Sequence, residues 1–312
     1  MPLSPRLIRR RIKSVTNTRK ITRAMELVSA SKMRKAVAAV LASRPYAEAA
    51  WRAVGELARA GQRELHPLLA ERGPGRTLLI VFSSDRGLCG GFNSQLLRSV
   101  FAFLKKQGEE TDIVAIGRKG QSALVRAGAK LTASFTDLTN NPRLLDLKPA
   151  ADLAVNDFLA GRYAHVRLAF TDYRSAIAQK PIIRQLLPIV RIAELGEVER
   201  RRSGEAEKSD DRLAARSSRL EAEKANLEYV FEPSPQAVLD RMLPRLVEAQ
   251  IWQALLESSA SEHSARMVAM RSASDSAGDM IDSLTQIFNS ARQAGITREI
   301  AEISSGKAAL ES

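Results

Sequence analysis

Three glycines, Gly87, Gly90 and Gly91, sit between an apolar run and an amphipathic stretch. A phosphate-cradling loop occupies that place in a nucleotide-binding βα unit, where backbone N–H groups approach the anion. Their spacing departs from G-x-G-x-x-G, and no G-x-x-x-x-G-K-[ST] occurs; Ser305-Gly306-Lys307 lacks the upstream glycine. The pattern suits a tight strand-to-helix turn that needs positive φ. Cys89 lies in the same turn. A thiol at a helix N-terminus can be activated, but a small packed residue is the simpler reading. As the one cysteine it allows no intrachain disulfide, which points to a reducing compartment. His66, His165 and His263 are far apart, none at metal-ligand spacing with Cys or another His. No Ser/His/Asp constellation stands out. The expectation is a non-catalytic chain with no catalytic, cofactor-binding or metal residues.

The elements around that turn divide into a sheet region and two helical ends. Residues 76–193 alternate strand and helix. Apolar runs at Thr77–Ser83, Asp112–Gly117 and His165–Thr171 read as strands, with Pro181–Ile192 an extended partner. Phe92–Lys106, Arg118–Arg126 and Pro149–Leu159 read as helices. This predicts a small, mostly parallel, Rossmann-like α/β domain with helices on its faces. Residues 194–228 carry 18 charged side chains in 35 and read as a linker or insertion.

The carboxyl-terminal helix, 235–303, carries the strongest pattern. From Leu239 to Ala291, 16 positions in alternating threes and fours include 13 apolar residues; the exceptions are Gln253, His263 and Ser274. One unbroken heptad frame predicts a helix about 80 Å long, at ~1.5 Å per residue, that winds around a partner. Ser234 is the expected N-cap, with Pro235 at the first helical position; Pro244 is expected to kink the rod. Residues 1–60 form the natural partner. There the apolar stripes Ile8/Ile12/Val15, Ile21/Met25/Val28 and Met33/Val37/Val40 imply a register that slips, and Pro45 is expected to bend or interrupt the helix. The fold class is therefore α/β plus a long coiled coil.

Charge is unevenly placed. The net charge is +13, and residues 1–44 hold twelve Lys or Arg against the single acid Glu26, leaving 36 against 34 elsewhere. A basic helical segment fits an anionic partner: nucleic acid, a membrane surface or an acidic protein. No apolar run reaches the ~18 residues of a bilayer span. No apolar h-region follows the Arg-rich start, and the early helical pattern speaks against a transit peptide.

Six segments in order resemble the gamma subunit of F-type ATP synthases: Asn17–Lys35 (NTRKITRAMELVSASKMRK) with Ser43–Tyr46 (SRPY), Ser84–Asn93 (SDRGLCGGFN), Phe231–Pro235 (FEPSP), Ser261–Met270 (SEHSARMVAM) and Ala291–Thr297 (ARQAGIT). The match runs the length of the chain; the charged stretch 194–228 looks longer than in short bacterial members and lacks the cysteines of the chloroplast thiol switch. The resemblance implies a central rotor shaft: terminal helices paired as a long antiparallel coiled coil inside a ring of three alpha and three beta subunits, with the α/β domain at the base against the epsilon subunit and the membrane c-ring. Ion flow turns such a shaft, and its asymmetry drives the beta subunits through their states. It implies no cofactor, no nucleic acid, and a peripheral place on the cytoplasmic face of a bacterial inner membrane. By motif position it implies beta-subunit contacts at Met25, Arg292, Gln293 and Thr297, and c-ring or epsilon contacts at Tyr229 and Glu232. The alternative, a basic coiled-coil nucleic-acid-binding protein, needs base-stacking aromatics that the basic segment lacks, Tyr46 being the one nearby. The other rival is a small α/β enzyme using the Gly87–Gly91 turn. Both leave the 53-residue heptad frame unexplained.

Overall fold

The computed structural model describes residues 5–59, 66–107, 110–139, 142–189 and 234–310. Ten elements follow in order: α1 (Pro5–Arg59), β1 (Thr77–Phe82), α2 (Phe92–Lys106), β2 (Thr111–Ile116), α3 (Arg118–Arg126), β3 (Leu131–Phe135), α4 (Leu144–Leu159), β4 (His165–Tyr173), β5 (Gln179–Leu187) and α5 (Pro235–Leu310). The chain forms two compact units. One comprises Met1–Arg34, Leu88–Gly90 and Glu262–Ser312; the other comprises Lys35–Gly87 and Gly91–Ser261. The charged stretch 194–228 lies outside the described residues.

The larger unit is built on a five-stranded sheet in the order β3-β2-β1-β4-β5. β1 pairs in parallel with β2 and β4, and β2 with β3; β5 runs antiparallel to β4. All six residues of β1 are buried, as a central strand covered on both faces requires. Leu78, Ile80 and Phe82 face a core completed by Leu147, Ala154 and Phe158 of α4 and by Leu243, Val247, Ile251 and Leu255 of α5. Leu79 and Val81 face the other way, with Leu96 and Val100 of α2 and Leu124 of α3. Burial of each such aliphatic side chain is worth about 1.5–3 kcal/mol. At the amino edge of the sheet, buried Asp112 accepts from Arg76 at 2.7 Å and from the Tyr163 hydroxyl at 3.0 Å, with Lys130 at 3.2 Å.

Several expectations change. β3 has no continuous apolar run; it alternates intermediate and exposed residues along the sheet's edge. α4 begins at Leu144, and Pro149, read as its first residue, lies inside it. Neither Pro45 nor Pro244 ends its helix. A proline removes one backbone hydrogen bond, and helices of 55 and 76 residues continue past it. The Ser234 cap is present: its Oγ accepts from the Ala237 amide at 3.2 Å. The heptad frame of α5 also has a different meaning in its first half. There a second stripe, Leu243, Val247, Ile251 and Ala254–Leu255, is buried against the sheet, and every residue from 254 to 261 is buried. This stretch is a core helix, not a two-helix seam.

The smaller unit holds the antiparallel coiled coil. Arg9 stacks on Phe288 at 5.6 Å, Arg19 lies against Gly278, and Lys32 acts on His263. As one partner number rises the other falls by nearly the same amount, which defines antiparallel helices in register. On α5 the seam follows the frame: Met270, Ser274 and Ala277 are buried, and Ile281, Leu284, Phe288 and Ala291 are partly so.

Candidate functional site

On α1 the inward positions are Ile8, Ile12, Val15, Thr22, Ser29 and Met33. These keep one frame of threes and fours, so the register does not slip. The middle apolar stripe, Ile21/Met25/Val28, does not line the seam. Thr22 and Ser29 are 9% and 3% exposed, whereas Ile21 and Val28 are 60% and 56% exposed. Small side chains let two helices approach closely, and the Thr22 hydroxyl donates to the Arg19 carbonyl of its own helix at 3.0 Å. A hydroxyl satisfied in this way can sit in an apolar seam at little cost. The larger side chains are left to face outward.

Ile21, Met25 and Val28 share one helical stripe at i, i+4 and i+7; Leu27 is exposed on another face of the same helix. Met25 itself is partly buried. Lys32 continues the stripe at i+11, and Lys20 and Arg23 are exposed on other faces of the helix; Arg23 is held by Glu26 at 2.8 Å, an exposed pair worth at most about 1 kcal/mol. The far part of α5 repeats the arrangement. Ile296, Ile300 and Ile303 are exposed at the same spacing, and Arg292, Gln293 and Thr297 are exposed around them. Two outward apolar stripes with cations beside them can bind proteins through shallow contacts. Tyr229 and Glu232 lie outside the described residues. Motif resemblance points to Met25, Arg292, Gln293 and Thr297 and does not point to the isoleucines. Their signal was present, since Ile21 and Ile296 fall off the buried frames.

The smaller unit also holds a buried polar node. Arg266 donates to Glu262 at 2.7 Å, with both side chains under 10% exposed, and stands 3.3 Å from Nδ1 of His263. Burial, then Arg266 and Lys32, push the His263 pKa down to about 4. The ring is therefore neutral at pH 7 and accepts from the guanidinium. Among the described residues no group of His, Cys, Asp and Glu could hold a metal ion.

The glycine turn behaves as a turn. Gly90 has φ +54°, and a Cβ there would stand 3.7 Å from that of Ala269; Leu88 also adopts φ +62°. Cys89 is buried. The amides that would cradle a phosphate beside this turn are already engaged. At the start of α3, Arg118 N–H donates to the Asp85 carboxylate, Lys119 N–H to the Ser84 carbonyl and Gly120 N–H to the Ser83 hydroxyl, at 3.2, 3.0 and 2.8 Å. Among the described residues no helix is long and apolar enough to cross a membrane.

Residues 4–310 match the family model described as ATP synthase. The ATP synthase gamma chain of Herpetosiphon aurantiacus is 42% identical over 318 aligned residues, covering 98% of this chain and 99% of its own. That of Pelotomaculum thermopropionicum is 42% identical over 308, covering 99% of each. A solved central stalk and c-ring of the Tetrahymena thermophila mitochondrial ATP synthase contains a chain 25% identical, with TM-score 0.56, matching 81% of this chain and 99% of that one. A chain of the Euglena gracilis mitochondrial enzyme, 16% identical with TM-score 0.63 and coverage of 98% and 94%, shares the fold.

Proposed function

The chain belongs to the ATP synthase gamma chains, and from that premise we propose how this rotor shaft meets its partners. It is a subunit of an ATP synthase and a membrane-associated, peripheral part of that complex. One copy works with three alpha and three beta subunits, with epsilon and the c-ring at the other end, on the cytoplasmic face of a bacterial inner membrane. The shaft supplies shape and torque, and the chemistry belongs to the ring. The nucleic-acid alternative is set aside with the family assignment.

The observation that carries this reading is the pair of outward apolar stripes on the smaller unit. A shaft has to touch three equivalent stations in turn. A deep hot-spot pocket would hold it at one of them, whereas shallow apolar strips flanked by cations give similar, weak contacts at each. The surplus of Lys and Arg in residues 1–44 favours acidic surfaces on the ring through long-range attraction and selects against basic ones. Met25, Arg292, Gln293 and Thr297 are the proposed beta-facing residues, and Tyr229 and Glu232 the proposed contacts toward the c-ring and epsilon. Paired helices also resist twisting better than one.

Co-expression with alpha, beta and epsilon, followed by native mass spectrometry and an ATPase assay, tests the assembly. A complex of three alpha, three beta and one gamma whose activity depends on this chain is the expected result. Its absence while the other subunits assemble would sink the proposal. Within the intact membrane complex, Met25→Lys is expected to lower ions pumped per ATP hydrolysed, because a new cation at the stripe adds an attraction that holds the shaft at one station. An unchanged ratio removes Met25 from the contact set.

A further inference from the structure

In doubly wound sheets, ligands bind in the crevice beyond the carboxyl ends of the strands. Here that edge receives a helix of the same chain. Within the larger unit, three serines of α5 donate to main-chain carbonyls of the sheet region. Ser258 donates to Phe82 at the end of β1 at 3.2 Å, Ser259 to Thr139 beyond β3 at 2.9 Å, and Ser261 to Thr171 in β4 at 3.1 Å. All three serines are at most 1% exposed. The donors that an anion would need at the start of α3 are likewise held, by Ser83, Ser84 and Asp85.

We infer that Ser258, Ser259 and Ser261 form a hydrogen-bonded clamp that fixes the rotational setting of α5 on the sheet, so that torque passes between them without slip. The inference rests on the rotor reading above. Apolar packing through Val247, Ile251 and Leu255 holds α5 against the sheet, but the hydrophobic effect is non-directional. Hydrogen bonds weaken steeply with angle. At ~100° per residue the three hydroxyls span roughly 160° of the helix circumference, and they end on three separate segments of the sheet region. Turning α5 about its axis in either direction therefore stretches at least one of them. A buried carbonyl left without its donor is costly, which makes each position a stop and not merely a preference. These are positioning residues.

The test uses the assembled membrane complex carrying Ser258→Ala, Ser259→Ala and Ser261→Ala together, and each single variant. Hydrogen exchange of the α5 amides around 256–262 reads the clamp itself. The expected result is at least a tenfold faster exchange in the triple variant, with unchanged subunit composition. The second readout is ions pumped per ATP hydrolysed, per assembled complex, at increasing opposing ion gradients. The clamp predicts a ratio near wild type at low load that falls at least twofold at high load. A merely structural role would lower the yield or thermal stability of the complex and leave the load dependence unmoved, which overturns the inference. Exchange within twofold of wild type overturns it too. Should the triple variant fail to assemble, the single variants carry the same two readouts. If the wild-type chain never enters the complex, the rotor reading fails instead, a result separable from any of these.

Discussion

The two compact units use their apolar side chains in opposite ways. In the larger unit the biggest residues point inward: Phe82, Phe158 and Phe170 are at most 2% exposed, and both faces of the sheet are covered. In the smaller unit small polar residues fill part of the seam, and isoleucine and valine point outward. The first arrangement maximises stability. The second gives up some of it to keep apolar surface available for partners. Comparing the two separates residues that hold the chain together from residues that let it work.

The largest effect should come from the core. Phe82→Ala removes a fully buried ring from the sheet centre and should cost about 3–5 kcal/mol, read as a lower midpoint in urea unfolding. Ile21→Ala, a loss of similar chemistry at an exposed site, should stay within about 0.5 kcal/mol. Equal costs would erase the contrast between the units.

Next comes the buried pair. Glu262→Gln leaves the Arg266 guanidinium with less compensating charge inside the smaller unit, and a loss of about 3 kcal/mol is expected in the same assay. A change under 1 kcal/mol would mean that the node is solvated in solution.

His263 gives a smaller, pH-dependent effect. Its folded pKa of about 4 lies below the unfolded 6.5, so as pH falls below 6.5 the unfolded chain takes up a proton that the folded chain refuses. Stability should decline through that window, at no more than about 1.4 kcal/mol per pH unit from this group. His66, lowered by burial against the opposing pull of Asp240, adds in the same direction. Unfolding midpoints measured between pH 4 and 7 should lose part of their slope in His263→Gln; an unaltered slope would assign it to other groups.

The smallest stability effect should come from the exposed end of α5. Arg292→Ala should move the midpoint by no more than about 0.5 kcal/mol while lowering ATPase activity of the assembled complex at low salt more than at high, where screening already weakens the contact. A large stability loss would make Arg292 structural and sharpen the boundary between the units elsewhere.

The strands β1, β2 and β4 were legible because buried parallel strands are continuous apolar runs. β3 was not, because an edge strand such as Leu131–Phe135 needs no such run. The frame of α5 was legible to the residue in the smaller unit. In the larger one, a helix buried on several sides satisfies a heptad template without being a coiled coil. The two ends of the α1 seam were legible and its middle was not, because hydrophobicity is a poor proxy for burial where size decides, as at Thr22 and Ser29. The outward stripe of α1 is the other side of the same inversion. Met25, Arg292, Gln293 and Thr297 rest on motif resemblance alone, since spacing along a helix says nothing of which partner a side chain meets.

The exchange of Thr22 and Ser29 for Ile21 and Val28 also bears on handling. A chain that carries isoleucines, valine and leucine on its outer surface invites self-association when produced without its ring. Preparations of the lone subunit should precipitate as concentration rises, whereas co-production shields the same side chains. Supply of the subunits in matched amounts is thus a solubility requirement set by two small hydroxyl residues in one helix.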